Sequence, residues 1–107
     1  MGIVTIKKNP EFRHVFARGR SRASRYVVLY HLASEETGRR FGFVVSRKVG
    51  HAVERNRLRR MLKEITRLNE GAFKPGFDYV IVVRPAAFGV DYSRLEQSLL
   101  RLARDLG

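Results

Sequence analysis

The sequence predicts an α+β fold: a small α-β sandwich with helices on a mixed sheet, in the order α-β-β-(β)-α-β-α. Three observations predict it. Apolar residues recur at helical spacing in stretches that open near Asn9, Ala52 and Asp91. Between them, residues 25–32 and 40–46 alternate in the manner of strands, and residues 79–83 form a nearly continuous apolar run. The 107 residues hold no internal repeat, low-complexity tract or linker, so residues 1–107 are expected to form one domain around one core.

Residues 1–8 are a short basic arm, strand-like or loose, that could supply the extra strand. The first helix is marked by Asn9 as N-cap, Pro10 at the first helical position, Glu11 at the positive helix end and Gly19 as the C′ stop. Within it Phe12, Val15 and Phe16 share a face. Arg18, Arg20, Arg22 and Arg25 follow as a basic loop. The strand at 25–32 points Tyr26, Val28 and Tyr30 one way and Val27 and Leu29 the other. A turn at 35–38 is expected to close an antiparallel hairpin with the strand at 40–46. There Phe41, Phe43 and Val45 face the core, while the small Gly42, Val44 and Ser46 leave a shallow trough that a ligand could occupy. The second helix runs from Ala52 to Leu68. At about 100° per residue, Leu58, Met61, Leu62, Ile65 and Leu68 form a core stripe, and Arg55, Asn56, Arg59, Arg60, Lys63 and Arg67 lie opposite. Residues 69–76 are a loop. The run at 79–83 suits a central strand, ended by Arg84-Pro85. Asp91 caps a last helix with a stripe of Leu95, Leu99, Leu102 and Leu106.

Charge gives the first functional signal. The net charge is +12, and residues 47–67 hold eight bases and two acids, so half of the excess sits in a fifth of the chain. Arg55, Arg59 and Lys63 stand at i,i+4, a spacing at which like charges repel. An anionic partner would relieve that repulsion, and the candidates are nucleic acid or an anionic membrane. No run approaches ~20 apolar residues, and the basic helix sets aliphatic residues, not Trp or Phe, against its charges; no membrane partner is expected. The absence of cysteine means no disulfide framework and no thiolate metal site, and the N-terminus has no signal-peptide core. A cytoplasmic location is the expectation.

The chain carries no P-loop, GxGxxG or HExxH motif. His14, His31 and His51 are far apart in sequence, and the ten acids show no spacing that forces the convergence a two-metal nuclease needs. Asn56, between Arg55 and Arg57, adds a group able to bond a phosphate, a 2′-hydroxyl or a base edge. Phe12, Phe16, Tyr26 and Tyr30 admit two readings, a stacking platform for unpaired bases or ordinary core, and composition does not separate them.

The stretch FGFVVSRKVGHAVERNRLRRMLKE resembles the signature of the protein subunit of bacterial ribonuclease P, whose hallmark is the Arg-Asn-Arg helix; here that is Arg55-Asn56-Arg57, followed by Arg59-Arg60. The resemblance spans nearly the whole chain. KKNPEFRHVFARGRS is similar to the family's first helix and loop, RYVVLYHL to its leader-facing strand and DYVIVVRPAA to its last strand. It implies an endoribonuclease holoenzyme in which a catalytic RNA, with Mg²⁺, removes the 5′ leader of precursor tRNA. The protein is then a single RNA-binding domain with no catalytic residue of its own, no metal bound by the protein alone and no obligate protein partner. By resemblance, Arg47, Lys48, Arg55, Asn56, Arg57, Arg59, Arg60 and Lys63 contact the catalytic RNA. Phe12, Phe16, Arg25, Tyr30, Val44 and Ser46 belong to a cleft for the single-stranded leader. The family fold also implies a left-handed β-α-β crossover through the basic helix, against the usual right-handed preference. Two features depart from the family: the arm before the first helix is short, and His51 stands where Asn is common. Two other classes compete. A structural RNA-binding module, ribosomal-protein-like, would need the basic helix but not the cleft, and a self-sufficient nuclease would cut precursor tRNA without RNA.

Overall fold

The structure, a computed structural model, describes residues 3–105. In chain order its elements are β1 (Val4–Thr5), α1 (Asn9–Arg18), β2 (Arg20–Ala23), β3 (Val27–Ala33), β4 (Arg39–Val44), α2 (Ala52–Leu68), β5 (Phe77–Val83) and α3 (Tyr92–Asp105), with short 3₁₀ turns at Glu70–Ala72 and Pro85–Ala87. The strands form one mixed sheet in the order β1-β4-β5-β3-β2.

β5 takes the centre, as its apolar run predicts. Tyr79, Ile81 and Val83 are buried in the larger core, beneath α2 and α3, and Val80 is buried on the other face beneath α1. A strand covered on both faces needs apolar residues in both registers. This placement overturns the expected hairpin. β3 pairs with β5 antiparallel and β4 pairs with β5 parallel, so β5 lies between them. The turn at 35–38 straddles the start of β5: Ser34 N donates to the Gly76 carbonyl and Gly76 N to the Gly38 carbonyl, each at 2.8 Å. Gly76 holds φ +83°, a left-handed conformation that disfavours side chains. α2 therefore connects two adjacent parallel strands.

Other local expectations are also revised. The basic loop is in part the edge strand β2, antiparallel to β3, with all four residues exposed. Charged side chains on an exposed edge discourage pairing with other chains. Asn9 lies inside α1 and the N-cap is Lys8, without a side-chain cap bond. Gly19 is extended, not left-handed. A Cβ there would sit 2.6 Å from the Val15 carbonyl oxygen and 2.8 Å from that of His31, so glycine lets α1 close onto β3. Tyr26 precedes β3 and packs against the larger core, away from Tyr30. Leu68 is 60% exposed because α2 ends there; buried Thr66 shares the stripe's last turn, its hydroxyl donating to the Leu62 carbonyl at 2.9 Å. Asp91 does cap α3, accepting from Arg94 N at 2.8 Å, and Leu95, Leu99 and Leu102 are buried. Leu106 lies outside the described residues.

α1 has ten residues, about 15 Å at 1.5 Å per residue. It covers its face of the sheet only in part: Ile6, Val15 and Val80 are buried there, while Phe12, Tyr30, Val44 and Val82 stay half-buried. Arg40 pins α1 to the sheet, bonding Glu11 at 2.6 Å and Asp78 at 2.8 and 3.0 Å. That guanidinium holds the Glu11 carboxyl below its ordinary range.

Candidate nucleic-acid interface

α2 begins after His51, which is extended and makes no side-chain cap bond. Glu54 in the first turn and Arg67 in the last complement the helix dipole. The predicted cations divide by what they touch. Arg57 is committed to the protein. Its Nε and Nη2 donate to Glu54 at 2.7 and 2.9 Å, and Nη2 also donates to the Val90 carbonyl at 2.9 Å. Arg55 Nη1 donates to the Gly50 carbonyl at 2.9 Å, bracing the chain before the helix. Arg59 donates to Asn56 Oδ1 at 3.0 Å and to the Val45 carbonyl at 3.4 Å. Arg67 pairs with Glu64. Arg47 and Lys48, in the turn after β4, and Arg60 and Lys63 on α2 are exposed, and their side chains make no hydrogen bond or ion pair among the described residues. A guanidinium has five donors, so Arg55 and Arg59 keep some for a ligand.

The uncovered part of the α1 face is a cleft of about 440 Å³ lined by Asn9, Phe12, Arg13, Phe16, Phe43, Val44, Val45 and Arg59. Phe16 is 39% exposed and meets Tyr30 edge-on, with ring centroids 4.9 Å apart. The trough read from the sequence is half filled. A Cβ at Gly42 would lie 2.5 Å from the Phe12 ring, so the missing side chain makes room for Phe12 rather than for a ligand. The open part lies at Val44. Ser46 is exposed beyond the end of β4 and outside the cleft lining. Arg25 is also elsewhere, lining a groove beside α3.

The structure thus brings together Phe12, Phe16, Tyr30 and Val44, and adds Asn9, Arg13, Phe43, Val45 and Arg59. Arg13 was findable in the sequence, since it lies between Phe12 and Phe16 on one helix. Arg59 was not, because it reaches the cleft across the end of β4. It joins the cationic face to the aromatic one. Aromatic faces beside guanidinium groups suit unpaired bases, which stack while their phosphates are neutralised.

The histidines lie apart from this site or at its margin: His14 is exposed, His51 precedes α2, and His31 on β3 has its pKa lowered by burial. Among the described residues no group of three or more His, Cys, Asp or Glu could hold a metal ion.

Residues 3–107 match the family model described as Ribonuclease P. The chain is 46% identical over 96 residues to the ribonuclease P protein component of Desulforamulus reducens, covering 90% of this chain and 85% of that one. It is 41% identical over 102 residues to that of Natranaerobius thermophilus, covering 95% and 89%. Its fold is similar to the solved RNase P protein of Thermotoga maritima, with TM-score 0.89, 31% identity and coverage of 96% and 97%. It is also similar to the RNase P protein of Staphylococcus aureus, with TM-score 0.88, 28% identity and coverage of 95% and 94%. On this sequence match over nearly its whole length, the chain belongs to the ribonuclease P protein family.

Proposed function

We propose that the protein is the RNA-binding subunit of a ribonuclease P ribonucleoprotein that removes the 5′ leader from precursor tRNA. The observation that carries this reading is the junction of two surfaces at Arg59. On one side lie the unengaged cations Arg60 and Lys63 of α2; on the other lies the aromatic cleft of Phe12, Phe16 and Tyr30. The cationic face suits the RNA subunit and the cleft suits the single-stranded leader. A structural RNA-binding module has no use for an open aromatic cleft, which favours the first reading. The catalytic site and its Mg²⁺ are assigned to the RNA. In support, four of the protein's carboxylates are engaged in its own fold: Glu11 and Asp78 with Arg40, Glu54 with Arg57, and Asp91 as a helix cap.

The test is the ratio of precursor to mature tRNA affinity in the reconstituted holoenzyme. Phe16→Ala should remove stacking worth about 1–3 kcal/mol per base, roughly 5- to 150-fold at 1.4 kcal/mol per decade. The loss should appear for precursor and not for mature tRNA, with assembly preserved. Arg60→Ala combined with Lys63→Ala should weaken assembly instead. A well-folded Phe16→Ala protein with an unchanged ratio would refute the leader cleft. Cleavage of precursor tRNA by the protein and Mg²⁺ without RNA would refute the assignment of catalysis.

A further inference from the structure

A second groove lies on the opposite side of the sheet from the aromatic cleft, between α3 and the segment from β2 to β3. It encloses about 440 Å³. One wall carries Arg22 and Arg25; the other carries Arg94 and Arg101. Ser24 and Ser98 meet across it, with their hydroxyl oxygens 2.5 Å apart. The guanidinium of Arg25 lies 5.7 Å from the centroid of the Tyr26 ring, at the same wall.

Four arginines here face one acid. Asp105 approaches Arg22 at 3.9 Å, with both side chains half exposed, and outside the groove lining Asp91 approaches Arg94 at 3.8 Å, more exposed still. Exposed pairs of this kind neutralise little. Edge protection accounts for cations on β2, but not for Arg94 and Arg101, which belong to a helix. α3 places Arg94, Gln97, Ser98 and Arg101 at i, i+3, i+4 and i+7, one face of the helix, bordering β2. Its Glu96 instead accepts a bond from Asn69, at the end of α2, at 3.2 Å. Of the helix's two acids, Glu96 thus turns toward α2, and only Asp105, at its last turn, lines the groove beside Arg94 and Arg101.

We propose that this groove is a second RNA-binding surface, in which Arg22, Arg25, Arg94 and Arg101 hold backbone phosphates of the same RNA subunit that α2 binds. The proposal rests on the ribonucleoprotein reading above. Charge selects a polyanion, and position selects the RNA subunit. α2 and α3 lie side by side on one face of the sheet, whereas the leader cleft opens on the other. An RNA held on α2 extends over α3 to the groove without crossing the sheet.

The test is the salt dependence of protein binding to the catalytic RNA transcribed in vitro. Arg94→Ala/Arg101→Ala and Arg22→Ala/Arg25→Ala should each make the slope of log K against log salt shallower by about 1.5–2 units. Arg94→Lys/Arg101→Lys should keep the slope, which separates charge from packing. Because the chain has no cysteine, Gln97→Cys offers one attachment point for an iron chelate. RNA cleavage from that point should map to the catalytic RNA. Unchanged slopes in both double alanine variants, folded by circular dichroism, overturn the proposal. So does unaltered assembly with weakened tRNA binding, which would make the occupant the substrate. An acidic protein partner would leave RNA assembly unaltered, and that also overturns it. Arg60→Ala/Lys63→Ala is measured in parallel. If it too leaves the slope unchanged, the ribonucleoprotein reading has failed; if it alone flattens the slope, only the groove has.

Discussion

Glu54 accepts three hydrogen bonds, two from the Arg57 guanidinium and one from the backbone N–H of Gly89 at 2.6 Å. With the Arg57 bond to the Val90 carbonyl, they clip the first turn of α2 to the connection between β5 and α3. Arg57, foremost, holds the Glu54 carboxyl down to about 2, from an ordinary 4.5. A carboxyl depressed in the folded state binds its proton more readily when unfolded. Its stabilisation is therefore complete above pH ~4.5 and lost as the pH falls toward 2. Glu54→Gln should lower the melting temperature at pH 7 and flatten its decline between pH 4.5 and 2. Acid melting curves of the two proteins check this; parallel curves would show that Glu54 is not the linked group. The sequence places Arg57 in the RNA-facing set by resemblance, and Glu54 three residues earlier was the visible sign of its tether. The bond to Val90 was not visible, because it joins segments 33 residues apart.

At the scale of elements, α2 shows both the reach and the limit of periodicity. Leu58, Leu62 and Ile65 are fully buried, as their spacing requires, but Leu68 projects past the point where α2 has anything to pack on. Leu62→Ala should cost about 2–5 kcal/mol as a core truncation, and Leu68→Ala should stay within about 0.5 kcal/mol. Chemical denaturation of both variants decides, and equal losses would show that the helix is rotated from the phase described. The well-patterned elements α1, β3, β4, α2, β5 and α3 were legible to within a few residues. β2 was not, since a strand that buries none of its four residues leaves no alternation to read. The candidate site was legible in its residue types and less so in its assembly. Phe12, Phe16, Tyr30 and Val44 share the cleft region through helix spacing and strand parity, whereas Arg25 sits two residues before β3 begins and lies in the other groove.

Sheet order is a property of the whole molecule, and no local pattern encodes it. A turn between two strands suggests that they pair, and only the two-sided burial of β5 makes its insertion the better solution. That insertion has a consequence in time. β4 ends at Val44 and its inner partner starts at Phe77. At a synthesis rate of about 5–20 residues per second, roughly 2–7 s separate the two. During that interval β3 and β4 lack the strand that pairs with both of them in the folded sheet, and such non-local pairing is slow to form. Ribosome-stalled chains exposing residues only as far as Gly76 should be cut readily by protease within β3, whereas chains exposing Val83 and beyond should gain protection there. Protection already complete at Gly76 would mean that the early strands find another partner first. The nascent chain therefore carries most of its arginines out of the ribosome before it has a sheet to arrange them on.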